Sequence, residues 1–247
     1  MKSTQSLSLA RSKPPFQWQT VFGYAIGTLL VLLILLLSVN LVVKHFFVTA
    51  TVVHSSMNNT LFDGDRVIVD TAHDKAVHPG DILIFHWNDD VLIKRCVGLP
   101  GDTIEIIDGN ITVNHHSLSF PGTIIAGNNT DPQYSLFTFR QYDQNWTKNK
   151  FGPIRVPYCG MTICLADPQS KPYLHTVASE QHDLFIQGDS LGWYTFKRNY
   201  LFVVGDNRPI SEDSRSILGM ICSDSVIGTS HRILYSGFRL SRLLKSI

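Results

Sequence analysis

Hydrophobic positions along this chain follow two rhythms. From Val21 to Val43 the sequence is dominated by Leu, Val and Ile without alternation, and no charged residue falls between Lys13 and Lys44. Twenty-three residues of helix would span roughly 34 Å, enough to cross a hydrocarbon core of about 30 Å. Beyond residue 44 the apolar runs shorten, and turn residues punctuate them. Val67-Ile68-Val69 follows Asp63-Gly64-Asp65, and Ile82 to Phe85 follows Pro79-Gly80-Asp81. Val91-Leu92-Ile93 leads into Lys94, Ile104 to Ile107 follows Pro100-Gly101-Asp102, and Ile111-Thr112-Val113 follows Asp108-Gly109-Asn110. Leu201 to Val204 runs into Gly205-Asp206-Asn207. Short runs bounded by Gly, Asp, Asn and Pro predict strands joined as hairpins. No segment of 45–247 shows helical periodicity beyond a turn or two. The expected fold is therefore mostly β: one transmembrane helix, then an all-β domain.

Charge sets the direction of the helix. Lys2, Arg11 and Lys13 precede it, and basic residues before a first helix favour the cytoplasmic side. Residues 1–20 are expected to form a cytoplasmic tail and 21–43 the anchor, with everything later on the exported side of the plasma membrane. The rival reading is a cleavable signal peptide ending near Val48-Thr49-Ala50. The length of the uncharged run favours a retained anchor, and Phe46 and Phe47 suit an interfacial belt. The bilayer is thus an expected partner. Charged residues make up only 17% of the chain, against about 25% in soluble domains, which agrees with a buried or membrane-borne apolar content. A net charge of +1 gives no basic footprint for nucleic acid.

Four cysteines are present, Cys96, Cys159, Cys164 and Cys222. No His stands beside Cys159 and Cys164, so neither a zinc site nor any other metal or cofactor is expected. These two form either a short disulfide loop in an oxidising compartment or, with the other two, four free thiols of which two lie buried in strands. Residues 115–199 are richer in Asn, Gln, Thr, Tyr and Pro, and are read as an inserted β-rich subdomain. It divides the rest of the β domain into two core parts, 44–114 and 200–247. N-x-S/T patterns begin at Asn58, Asn110, Asn128 and Asn145, which mark surface loops only in a glycosylating host. The basic, apolar stretch from Phe238 to Lys245 reads as an ordinary C-terminal strand or helix end.

Three groups of residues carry candidate chemistry. Ser56-Met57 stands just past the anchor, Lys94 ends an apolar run, and Gly205-Asp206-Asn207-Arg208 is followed by Ser211, Asp213, Ser214 and Arg215. Taken singly, each is an ordinary loop, edge charge or turn. Together and in this order they closely resemble the type I signal peptidase family. Four blocks carry the likeness: Ser56-Met57-x-x-Thr60-Leu61-x-x-Gly64-Asp65, Pro79 to Phe85, Ile93-Lys94-Arg95-Cys96-Val97-Gly98-Leu99-Pro100-Gly101-Asp102, and Gly205-Asp206-Asn207-Arg208-x-x-Ser211-x-Asp213-Ser214-Arg215 with Gly219 beyond. Phe151 to Pro157 also looks like family members with an enlarged insertion.

The resemblance implies a membrane serine endopeptidase that removes signal peptides from secretory preproteins with small residues at −3 and −1. It makes Ser56 the nucleophile and Lys94 the general base. Ser211 becomes the hydroxyl that orients the lysine, and Asp213 with Arg215 an ion pair behind the site. Asp206 and Asn207 are expected to fix the turn through side-chain to backbone bonds. A serine hydroxyl needs a base, and no Ser-His-Asp triad is evident. A lysine serves if burial brings its pKa from about 10.4 toward about 7–8, which takes roughly 3–5 kcal/mol of desolvation. The pattern departs from the family at two places. His54 stands where some relatives carry an oxyanion-donating hydroxyl, which leaves the Ser56 backbone N–H as donor, with the His54 ring a second candidate or a pocket wall. Asn59 stands where the family often has Pro. Within the same chemistry, a peptidase with one client in a transfer system is a rival. A Ser/Lys self-cleaving repressor would need a DNA-binding domain and would lack the anchor. An inactive membrane-tethered scaffold would not require Ser56, Lys94, Ser211 and Asp213.

Overall fold

The uncharged N-terminal run forms one continuous helix, α1 (Trp18–Phe46). Its central stretch Val21–Val39 has a mean hydropathy of 2.5, long and apolar enough to cross a membrane. The structure, a computed structural model, describes residues 18–46, 48–71, 76–119, 146–184, 192–237 and 239–247. Lys2, Arg11, Lys13, Phe47, Asn128, Asn145 and Phe238 lie outside the described residues.

The remaining chain is a second unit, built mainly from antiparallel strands. Its largest sheet has seven strands in the order β1-β2-β13-β3-β4-β11-β12. These are β1 (Val48–Thr51), β2 (Asp65–Asp70), β3 (Ile82–Trp87), β4 (Asp90–Gly98), β11 (Tyr200–Val204), β12 (Ile221–Cys222) and β13 (Val226–Ser236). Two short hairpins, β1–β2 and β3–β4, are joined through β13, which pairs Ile233 with Val67 on one side and Ser230 with Ile82 on the other. A second sheet, β7-β6-β5-β8, contains β5 (Thr103–Ile107), β6 (Asn110–Val113), β7 (His116–Ser117) and β8 (Phe151–Arg155). The β5–β6 hairpin turns at Asp108 and Gly109, both with positive φ (50° and 79°). That backbone matches the right-handed twist of paired strands and needs Asp-Gly or Asn-Gly. A third, two-stranded sheet pairs β9 (Thr162–Cys164) with β10 (Trp193–Thr195).

Alternation sorts the side chains into separate cores. On the β3–β4 hairpin, Ile82, Ile84 and Ile93 join Val52, Met57, Leu61, Val67 and Ile233 in one buried cluster. Leu83, Phe85 and Cys96 face the other way, against Leu201, Val203 and Leu218. A third cluster gathers Val97, Ile104, Phe151, Phe196 and Phe202 beneath the second sheet.

Within 115–199 the structure differs from the sequence expectation. Residues 174–184 form a helix, α2 (Leu174–Leu184). It continues from a 3-10 turn, Pro168–Tyr173, capped by the Asp167 carboxylate, which accepts from Gln169 N at 2.8 Å. Its inward positions are Thr176, Val177 and Glu180. Only one of the three is apolar, so hydrophobic periodicity did not reveal it. Glu180 is buried because it is satisfied: Tyr194 Oη donates to it at 2.6 Å and Lys197 N at 3.1 Å. The four cysteines are free thiols; Cys96 alone is fully buried, Cys164 and Cys222 are partly so, and Cys159 is exposed.

Candidate active site

Two hairpins and one strand exit bring the site together. The β1–β2 hairpin extends past its strands through Val52 N to Asp65 O (2.8 Å) and Gly64 N to Val52 O (3.0 Å), so residues 53–63 project as a loop. Asp65 holds the base of that loop. Its carboxylate accepts from Phe62 N at 2.9 Å, Ser236 Oγ at 2.5 Å and Arg242 Nη2 at 2.8 Å. Asn59, in the same loop, has φ 75°. Proline fixes φ near −65° and would not fit this backbone, so the departure at this position is a different turn, not a weakened one.

Lys94 lies on β4, with Leu83 across from it on β3. On the other side β11 pairs Val204 with Arg95 and Val203 with Cys96. The exit of β11, Gly205-Asp206-Asn207, is thereby carried to Lys94 from more than a hundred residues away. Asn207 ties that exit to the projecting loop: its backbone N–H donates to the Ser56 carbonyl and its side-chain amide to the Ser55 carbonyl, both at 3.0 Å. Gly205 permits this closeness, because a Cβ there would lie 2.6 Å from both the Ser56 carbonyl oxygen and Ser211 Cβ.

The outcome is a direct contact: Lys94 Nζ donates to Ser56 Oγ at 2.7 Å. Lys94 is only 5% exposed, while Ser56 is half-buried and lines an open cleft of about 500 Å³. Burial holds the Lys94 pKa below the ordinary lysine value, because the ammonium form loses its hydration. The carboxylates of Asp213 and Glu212 pull it back up, and Arg215 pushes it down. Among the described residues, the Ser56 backbone N–H donates to no protein group and stays available to a ligand. The His54 backbone N–H is occupied by Asp63 Oδ1 at 3.0 Å. His54 has φ 73° and borders the cleft.

Behind the pair stand two buried ion pairs. Arg215 and Asp213 are 2.8 Å apart and almost wholly buried. Burial alone would raise the Asp213 pKa, yet the Arg215 charge and hydrogen bonds from Arg215 and Gly205 N hold it at about 2. Ser211 Oγ is fully buried with no hydrogen-bond partner of good geometry, although it helps to keep Asp213 low. The structure therefore places Ser211 against Gly205 and Asp213, and no hydrogen bond joins it to Lys94. Asp206 also differs from its expected role. Its carboxylate takes a bidentate fork from Arg95, at 2.8 and 2.6 Å, rather than bonding its own turn.

Arg95 and Lys148 escaped the sequence reading. Arg95 offered a cue, since an arginine inside an apolar strand must be paired. Lys148 offered none: it sits in a polar stretch, yet is 4% exposed. Its Nζ donates to the Pro209 carbonyl at 3.0 Å and its carbonyl accepts from Arg215 Nη1 at 3.1 Å. Among the described residues no group of three His, Cys, Asp or Glu could hold a metal ion.

The domain is built of antiparallel sheets and holds a buried lysine against a cleft serine, and comparison with known proteins assigns the family. The model for "Signal peptidase, peptidase S26" matches residues 25–235. Signal peptidase I of Bacillus amyloliquefaciens is 26% identical over 208 residues, 82% of each chain. Signal peptidase IB of Staphylococcus aureus strain COL is 29% identical over 192 residues, 76% of this chain and 78% of that one. A crystal structure of a signal peptidase I from Enterococcus faecalis V583 aligns at 26% identity over 63% of this chain and 97% of that chain, with a TM-score of 0.31. The chain belongs to the signal peptidase family, peptidase S26.

Proposed function

We propose that this chain, a signal-peptide-cleaving peptidase by family, is a membrane-anchored serine endopeptidase working through Ser56 and Lys94. The observation that carries the reading is the 2.7 Å contact between a buried lysine amine and a half-exposed serine hydroxyl on an open cleft. In its neutral form the Lys94 amine accepts the Ser56 proton as Oγ attacks the carbonyl carbon of the −1 residue. The oxyanion that forms is met by the Ser56 N–H. The Lys94 ammonium then protonates the departing amine, leaving an acyl-serine and the mature chain. Lys94, again neutral, takes a proton from a water whose oxygen attacks the acyl carbon; as the bond to Ser56 Oγ breaks, the Lys94 ammonium returns that proton to Oγ, which frees the signal peptide with a carboxyl end and restores Ser56. Asp213–Arg215 and Arg95–Asp206 hold the two halves of the site in register. Ser211, packed on Gly205, keeps the β11 exit against Ser56.

In this reading α1 is a retained anchor with its N-terminus cytoplasmic, and the β domain works on the exported face. There it meets preproteins still tethered by their own apolar segment, and the shared membrane raises their effective concentration. Small residues at −3 and −1 suit a cleft walled by Val52, Met57, Leu92 and Ile93. The division of the catalytic core by residues 115–199 is part of the same proposal. The test is cleavage of a secretory precursor bearing Ala-x-Ala by the detergent-solubilised protein, with Ser56→Ala as blank. Cleavage after the −1 Ala that vanishes in the variant is expected. Cleavage that persists in the variant would show that Ser56 is not the nucleophile, and a folded wild type that cuts nothing would favour a single-client enzyme or a scaffold.

A further inference from the structure

The loop that carries Ser56 is held at both ends. Asn207 takes the carbonyls of Ser55 and Ser56. From there the chain winds into a tight turn, in which Thr60 N and Leu61 N both donate to the Met57 carbonyl, at 3.1 and 2.8 Å. Arg242 closes the far end of that turn from 182 residues away. Its Nη2 donates to the Thr60 carbonyl at 2.7 Å and to Asp65 Oδ2 at 2.8 Å. Its guanidinium also lies over the Phe62 ring, 4.7 Å from the centroid, with Arg239 over the same ring at 4.3 Å. A planar fork can serve two acceptors and stack on a ring, which a lysine ammonium cannot do. The Arg242 side chain is 11% exposed and that of Asp65 2%, so these contacts lie largely out of water, where charge-assisted hydrogen bonds are stronger.

Arg242 is itself fixed in place. It ends a 3-10 turn, Leu240–Arg242. Beyond it the chain pairs with β13: Ile233 N donates to the Lys245 carbonyl at 2.9 Å, and Ile247 N to the His231 carbonyl at 3.0 Å. Ile247 packs against the cluster that holds Met57 and Leu61. The same β13 supplies Ser236, whose Oγ donates to Asp65 Oδ1. Segment 239–247 thus joins β13 to the nucleophile loop.

We propose that Arg242 is a positioning residue for Ser56, and that segment 239–247 is a strap that keeps the loop within reach of Lys94. Arg242 is absent from the described residues that line the cleft, and it acts through Thr60 and Met57. Release of the Thr60 carbonyl loosens the turn and lets Ser56 Oγ drift from the amine. A displacement of about 1 Å at a reacting atom can cost a factor of about 10². The inference rests on Ser56 and Lys94 being the reacting pair.

The experiment uses the full chain in detergent, with the Ala-x-Ala precursor as substrate. Arg242→Ala should lower kcat by about ten- to a hundredfold, while KM stays near wild type because the cleft walls are untouched. Arg242→Lys should recover part of the loss. Lys245→Gln changes an exposed cation of the same segment but keeps the backbone pairing, and should cut at the wild-type rate. Guanidinium at tens of millimolar should raise kcat of Arg242→Ala and leave that of wild type unchanged. A variant that was merely destabilised would respond in the opposite sense, because guanidinium favours the unfolded chain. Wild-type kcat in Arg242→Ala would overturn the strap. So would a loss that guanidinium fails to relieve, or an equal loss in Lys245→Gln. Should Arg242→Ala not fold, Arg242→Lys decides: a lowered kcat at unchanged KM supports the strap, and wild-type kcat overturns it. A wild type that leaves the precursor intact would instead overturn the active-site reading, and the positioning role with it.

Discussion

Replacing Asp213 by Asn probes the support behind the site, and its cost can be reached by two routes. The Asp213 carboxylate accepts from Gly205 N at 3.0 Å, Arg215 N at 3.2 Å, Arg215 Nε at 2.9 Å and Arg215 Nη2 at 2.8 Å, all in the interior. Asparagine keeps the shape, removes the charge and turns an amide NH₂ toward donors, which strands a buried guanidinium. Breaking one partner out of a buried pair costs about 3–5 kcal/mol. The second route is proton linkage. Against the opposing effect of burial, the Arg215 charge holds the Asp213 carboxyl at about 2 rather than an ordinary 3.8, a depression worth about 2–3 kcal/mol of stability. Because the folded-state pKa is depressed, that contribution is complete above about pH 4 and is lost as pH falls toward about 2. Mutation should cost more than protonation, since the amide also presents donors to donors. Denaturant unfolding of the full chain in detergent, followed by tryptophan fluorescence, gives both quantities. At pH 7 the variant should lose about 3–5 kcal/mol, or roughly 6–20 °C in Tm. Between pH 5 and pH 2 the gap to wild type should narrow by about 2–3 kcal/mol. A loss under about 1 kcal/mol at pH 7, or a gap that stays constant down to pH 2, would refute the assignment of Asp213 as a charged structural partner.

Three further outcomes are expected. Lys94→Met replaces a buried amine with an apolar side chain of similar length, so unfolding should stay level or shift upward while precursor cleavage drops by about 10²–10⁴; a variant that keeps its activity would remove Lys94 from the proposed mechanism. Activity should climb as pH rises through the Lys94 pKa, because the proposed mechanism uses the neutral amine as base. Glu212 is exposed and raises that pKa, so Glu212→Gln should move the acid limb of kcat/KM to lower pH, less so in about 1 M than in about 0.1 M salt; an unmoved limb at low salt would show that this carboxylate does not act on the lysine. Gly205→Ala should destabilise the domain by about 1–3 kcal/mol and lower kcat more than it raises KM, since the methyl meets Ser211 and the Ser56 carbonyl; wild-type kcat would mean that the β11 exit has room to give.

Strands were the legible part of this fold because each announces itself locally, by an apolar run between turn residues. The runs read at 67–69, 82–85, 91–93, 104–107, 111–113 and 201–204 all lie within strands. What hydrophobic pattern missed has a common cause: burial of polar groups by partners distant in sequence. Glu180 on α2 looks like a solvated position until Tyr194 is found against it. Asp206 looks like a turn former until Arg95, 111 residues away, claims its carboxylate. Lys148 is hidden for the same reason. The candidate site consists almost entirely of such groups, so binary pattern is weakest where the chemistry lies. It was read instead from residue identity and order, which pointed to Ser56, Lys94 and the Asp213–Arg215 pair without saying how they meet. The structure adds the means: β4 lies between β3 and β11, and Asn207 reaches from the β11 exit to the carbonyls of Ser55 and Ser56. A serine on one hairpin and a lysine on another come within 2.7 Å because a third segment ties both, and that long-range tie is what no local pattern in the sequence encodes.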